Sequence, residues 1–309
     1  MSLADYKIIM IHGLASKPPK EDLLNYWKKC IIENIAQYDK ELSRQMQQDH
    51  ELFEMAYWAN VIPNHIEEDP KKLERPVQKI IEIRKKMGDS FHTPKPMSKV
   101  KAFWKNLGVE AIDIVTNVLT VKDDVLKKSL LEIKLYWDDQ YIATNIRQIL
   151  ASVLRKALRE NKKVIIISHS MGTFIAYDVL WRFCHHRDEE DMWDKRVHTF
   201  VTMGSPLGDE MIQDLMLGKR YGFKTKQGAL SNIDYWANFA ALGDIVCHDQ
   251  TLTDEFRRTE GLKDFRDYKR LYNPYKNERG KANPHKSYGY LLQPKLAKTL
   301  LRFFGKLEW

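Results

Sequence analysis

The chain has 309 residues, 43% of them apolar, enough for one large α/β domain or two smaller ones around a packed core. Its formal charge of +8 predicts a basic surface suited to weak contact with an anionic membrane. The lysines and arginines are interleaved with acids, with no arginine-rich tract and no zinc-finger spacing, which speaks against nucleic acid as a partner. Cys30, Cys184 and Cys247 are odd in number and far apart, so a disulfide framework is not expected. A strand-like run, Tyr6 to Ile11, begins at once with no basic-then-apolar leader, and no apolar stretch of about 20 residues is present. The expectation is a soluble, cytoplasmic protein; the oligomeric state is left open.

In chain order, "YKIIMIHG" reads as a buried strand ending at Gly13. Residues 21 to 48 read as one long amphipathic helix, and "LFEMAYWANVI" as a second strand. From 64 to 135 the pattern is helical and Lys-rich, interrupted by "GDSFHTPKPMS". "DDQYIATNIRQILASVLRKALREN" has apolar residues at three- and four-residue spacing and predicts a helix. It leads into the strand Val164 to Ile167 and then a turn at Ser170, after which a helical pattern starts immediately. "RVHTFVTMGSPLG" and "IDYWANFAALGD" read as further strands, and "YLLQPKLAKTLLRFFGKL" as a C-terminal helix. Strands alternating with helices predict an α/β fold: a mostly parallel central sheet covered on both faces. Chemistry in such sheets sits at the carboxyl ends of the strands, here His12–Gly13, Ser170, Gly204–Ser205 and Asp244.

A serine oxygen is a weak nucleophile unless a base removes its proton and a turn presents it to substrate. "SHSMG" supplies small residues, Ser168 and Gly172, two positions either side of Ser170, and the helix that follows offers its positive end to a developing negative charge. This strand–turn–helix resembles the nucleophile elbow G-x-S-x-G of the α/β-hydrolase superfamily, with Ser168 in the first glycine position. "MIHGL" after the first strand and "TMGSPLG" after a later one are similar to segments of its lipase and esterase members. The resemblance covers residues 6 to 63 and 136 to 309, and its nearest look is to bacterial lipase-like hydrolases and the inositol-deacylase-like branch.

The resemblance implies the α/β-hydrolase fold and a role for each matching residue. Ser170 is the expected nucleophile, and the N–H groups of Leu14 and Met171 the expected oxyanion donors, with His12 ordering the loop and Ser205 and Pro206 structural. The superfamily order, serine then acid then histidine, places the base late in the chain. His285, just before the final helix, is expected, with His248 as rival. His185 and His186 are expected to be solvated, and the His169 side chain to point elsewhere. For the acid, Asp244 in "GDIVCHD" follows the strand two after the nucleophile strand; Asp209 and then Asp249 are the alternatives.

The domain reading is a hydrolase core of residues 1–63 and 136–309 and a helical cap insertion of residues 64–135. Within the insertion, Val100, Phe103, Trp104, Leu107, Ala111, Val115 and Val118 form one apolar face, expected to pack on the core in preference to contacting lipid. No H-E-x-x-H pair, zinc-spaced cysteines or Gly-rich phosphate loop appears, so neither metal nor cofactor is expected. The expected function is hydrolysis of a small-molecule or lipid carboxylic ester, with an apolar acyl group, through an acyl-enzyme. A thioesterase or amidase would use the same residues, and a catalytically silent hydrolase-fold scaffold is the alternative of another class.

Overall fold

The computed structural model describes residues 2–14, 16–63, 65–92, 136–256 and 261–309. The strands are β1 (Tyr6–Ile11), β2 (Phe53–Ala56), β3 (Lys163–His169), β4 (Val197–Met203), β5 (Ile233–Ala241) and β6 (Asp264–Leu271). The helices are α1 (Lys20–Ile35), α2 (Lys40–Gln48), α3 (Lys71–Met87), α4 (Gln140–Arg159), α5 (Met171–His185), α6 (Glu210–Asp214), α7 (Thr253–Phe256), α8 (Ser287–Leu291) and α9 (Pro294–Phe303).

The strands form one sheet in the order β2-β1-β3-β4-β5-β6, parallel at every pairing. Parallel strands buried on both faces favour unbroken β-branched runs, and "KIIMI" and "VIIIS" supply them. Alternation along each strand splits these runs between two apolar layers. Ile8, Met10, Ile165, Ile167, Val201, Met203 and Phe239 face α1, α3, α8 and α9. Ile9, Ile11, Val164, Ile166, Phe200 and Trp236 face α4 and α5. The expected fold class is therefore the observed one: helices around a parallel sheet, consistent with the α/β-hydrolase fold.

Three expected elements are cut differently. The long helix over 21 to 48 is two helices. The break falls at Asp39, whose carboxylate caps α2 by accepting from Leu42 N–H at 2.8 Å. The strand in "LFEMAYWANVI" stops at Ala56, because Trp58 turns back: its N–H donates to His12 Nε2 (3.1 Å) and its indole Nε1 to the His12 carbonyl (2.9 Å). The C-terminal helix is two pieces, α8 and α9, with Pro294 at the first position of α9, where a missing N–H costs nothing. Strand β6, "DFRDYKRL", was not expected. It lies at the sheet edge and its side chains are mostly half-exposed or exposed, so it carries charge instead of an apolar run.

Of the segment expected as an insertion, the apolar face from Val100 to Val118 lies outside the described residues. The described part holds α3, which buries Leu73, Val77, Ile80 and Ile81 in the same layer as α1. No helix among the described residues is long and apolar enough to cross a membrane.

Candidate active site

β3 ends at His169, and Ser170 turns the chain into α5 with φ 55° and ψ −131°. A side chain rarely adopts such a positive φ, and the strain is held by close packing on every side. Ser170 N–H donates to the Met203 carbonyl (2.9 Å). The Ser170 carbonyl accepts from Thr173 Oγ1 (2.7 Å), which in turn lies 2.8 Å from Ser205 Oγ. Gly172 is required by proximity: a Cβ there would fall 2.6 Å from the His12 carbonyl oxygen and 2.8 Å from that of Ile11. Gly13 is required for the same reason, since its Cβ would meet Ser170 Cβ at 2.4 Å. Ser168 occupies the first glycine position of the elbow without conflict, buried, with its hydroxyl donating to the Val201 carbonyl (2.6 Å).

The loop before α8 brings His285 over this turn. Its Nε2 is 2.9 Å from Ser170 Oγ, and its Nδ1 is 2.9 Å from both oxygens of Asp244. Asp244 follows β5 and is fully enclosed, whereas the His285 side chain keeps about a quarter of its surface (28%) open to solvent. The water-facing end of the line is thus the imidazole and the buried end is the carboxylate. Burial alone would push the Asp244 carboxyl up. His285, the Tyr290 hydroxyl (2.6 Å) and Val246 N–H (3.0 Å) together outweigh it, and the carboxyl is held down at about 2. Gly204, at φ 55°, makes room for the pair: a Cβ there would sit 2.8 Å from Asp244 Oδ2 and 3.1 Å from His285 Nδ1.

The rivals lie elsewhere. Asp209 caps α6, accepting from Met211 and Ile212 N–H, and His248 sits 3.6 Å from Asp209, not at Ser170. Asp249 accepts from Thr251 N–H. His12 is buried and ordered as a loop residue: Nδ1 donates to the Gly13 carbonyl (2.8 Å) and the ring stacks on Trp58. Burial, then Lys17, drives its pKa well below 6.5, so it stays neutral. Leu14 is half-buried beside Gly13, and Met171, which opens α5, is buried.

His185 is half-buried, and it donates from Nε2 to the Ala229 carbonyl (2.7 Å), where the loop from β4 to β5 folds back over the end of α5. The expectation for His169 is overturned: it does not point away. Its ring lies 4.7 Å from that of His285, and its Nε2 donates to the His285 carbonyl at 2.7 Å. Sequence reading also missed Tyr290, whose signal was weak: a tyrosine five positions after the histidine, in an apolar run that reads as core. Among the described residues no group of three or more His, Cys, Asp and Glu side chains gathers to hold a metal.

A hydroxyl, an imidazole and a carboxylate in line, at the carboxyl end of a parallel sheet and beside a helix N-terminus, can carry out acyl transfer. Comparison with curated proteins and with solved structures returned no match. The stretch from 134 to 222, which contains α4, β3, the turn at Ser170, α5 and β4, matches the family model PGAP1-like alpha/beta domain, an α/β-hydrolase-type lipase/esterase family.

Proposed function

We propose that the protein is a serine hydrolase that cleaves a carboxylic ester through an acyl-enzyme. Ser170 Oγ attacks the ester carbonyl while His285 Nε2 accepts its proton. The resulting imidazolium is stabilised by Asp244, which is already ionised. The tetrahedral oxyanion is met by the N–H groups of Leu14 and Met171 and by the N-terminal end of α5. His285 then protonates the departing alcohol, and the acyl group stays on Ser170. Water, deprotonated by the same imidazole, releases the acid and restores the serine. The observation that supports this best is the unbroken hydrogen-bonded line from Ser170 Oγ through His285 to Asp244, with 2.9 Å at each step. Hydrolysis of p-nitrophenyl butyrate tests it: the wild-type chain turns over with a burst, and Ser170→Ala, correctly folded, does not. Turnover by the alanine variant at the wild-type rate would sink the assignment.

The substrate reading is an ester with a sizeable apolar acyl group, small or lipid, with the basic surface favouring anionic interfaces. The free thiols of Cys30, Cys184 and Cys247 support a cytoplasmic setting. Thioesters and amides could be attacked by the same groups, and a panel of matched ester, thioester and amide substrates ranks them.

A further inference from the structure

The loop that carries His285 exposes three consecutive carbonyls, Pro284, His285 and Lys286, and buried side chains hold all three. Asn273 Nδ2 donates to the Pro284 carbonyl (2.7 Å) and to the Lys286 carbonyl (3.0 Å). His169 Nε2 donates to the His285 carbonyl between them, at 2.7 Å. Asn273 is fixed in turn by Tyr275 N–H (3.1 Å), and it can reach the loop only because residue 289 is glycine: a Cβ there would lie 1.7 Å from Asn273 Oδ1. His169 immediately precedes the nucleophile, so the chain that places Ser170 also grips the main chain of its partner.

The acid is held from the same direction. Tyr290 is completely buried, and its oxygen accepts from Ala241 N–H (3.0 Å), which leaves its proton for Asp244 Oδ2 (2.6 Å). That N–H belongs to the last residue of β5, beyond an irregularity in the β5–β6 pairing between Phe239 and Ala241. Such irregularities re-aim groups beside active sites. Burial and the neighbouring Asp244 charge keep the phenol protonated, its pKa well above 10. Burial first, and His285 second, keep His169 well below 6.5, so it is neutral and has its one proton to give to the carbonyl.

We propose that His169, Asn273 and Tyr290 form a cradle of positioning residues for His285: two hold its main chain over Ser170, and the third holds its carboxylate partner in line. None of them meets the substrate; they act by fixing the imidazole, whose placement to within a fraction of an ångström governs proton transfer. The inference rests on the serine-hydrolase reading.

The test is kcat and KM on p-nitrophenyl butyrate, with kcat expressed per site titrated by a fluorophosphonate, for the full chain and for His169→Leu, His169→Gln and Tyr290→Phe. Titration removes the effect of misfolded molecules, which a merely structural role would produce. Losing a hydrogen bond to the loop or to a charged group should lower kcat roughly 10-fold in His169→Leu and Tyr290→Phe, with KM within about 2-fold. The Gln side chain can donate from a position close to imidazole Nε2, so His169→Gln should recover most of the loss. Wild-type kcat per site in both His169→Leu and Tyr290→Phe, or a Gln variant as slow as the Leu variant, overturns the cradle. Should Tyr290→Phe fail to fold, the two His169 variants decide. A wild-type chain that neither titrates nor turns over overturns the serine-hydrolase reading itself, and the cradle with it.

Discussion

Ser170 pays for its position with backbone strain, and that strain is measurable. At φ 55° a glycine is relaxed and a side chain is not, so Ser170→Gly should unfold at higher urea than Ser170→Ala, by about 1 kcal/mol, although both lack the hydroxyl. Equal stability of the two would show that the turn is unstrained. The acid separates in the same way. Asp244→Asn keeps the shape but upsets the tautomer of His285, and kcat should fall by about 10³–10⁴-fold, by analogy with the serine protease triad. Asp209→Asn should leave kcat near wild type and cost at most about 1 kcal/mol of stability, because Asp209 only caps α6. The reverse pattern would move the acid's role to Asp209. Because the Asp244 carboxyl is held at about 2, it contributes stability above the ordinary carboxylate range and loses it only as pH falls from about 4 toward 2. A fall in activity between pH 5 and 7 would therefore not be its titration. At this scale the sequence was most legible where chemistry forces a residue type: Ser170 between small neighbours, Gly13 after a strand, a late histidine in a loop. It misdirected His169 and was silent on Asn273 and Tyr290, because an imidazole, an amide and a phenol in apolar or loop segments acquire their partners only from tertiary contacts.

Buried polar links tie the helices to one another, and two of them predict stability. Asn34 on α1 donates from Nδ2 to the Leu291 and Gln293 carbonyls (2.9 Å each) and accepts from Arg84 Nε on α3 (2.9 Å). One amide thus joins α3, α1 and the α8–α9 junction. Asn34→Ala leaves these groups unpaired in the core and should cost about 2–4 kcal/mol in urea unfolding. A loss within experimental error would mean water replaces the amide. Asp178 on α5 accepts from Leu217 N–H (3.0 Å) and lies 3.9 Å from Arg147 on α4. Burial pushes its carboxyl up to about 7, more than Leu217 N–H and Arg147 pull it down. The folded chain then keeps a proton that the unfolded chain has released above about 4, so this group makes stability fall as pH rises from about 4 to about 7. Asp178→Asn should flatten stability over that window; an unchanged slope would show that Asp178 is ionised throughout. Helix and strand identity was readable from periodicity and β-branched runs. The breaks at Asp39 and Pro294 were not weighed against the apolar pattern around them, and β6 had no apolar pattern to read.

Over the whole molecule, the sheet order does the assembling. β1, β3, β4 and β5 are neighbours, and their carboxyl ends deliver Gly13, Ser170, Gly204 and Asp244 to one place although they are spread over more than two hundred positions. That convergence was legible, since a parallel sheet puts strand ends on one edge; of the segment read as a cap, 64–135, residue 64 and the stretch from 93 to 135 lie outside the described residues. If the substrate's acyl group is apolar and is buried on binding, kcat/KM should rise from acetate to medium-chain p-nitrophenyl esters, each buried methylene adding up to about 0.8 kcal/mol. A maximum at acetate would contradict a long pocket while leaving the acyl-transfer chemistry intact.

If Ser170 is a nucleophile activated by His285, covalent labelling will find it. The native chain is treated with a fluorophosphonate, digested and mapped by mass spectrometry. One adduct is expected, on the peptide containing Ser170, that disappears in Ser170→Ala and on prior unfolding and is strongly slowed in His285→Ala. No adduct on the native chain, an adduct on a different serine, or labelling that is indifferent to His285 would contradict it.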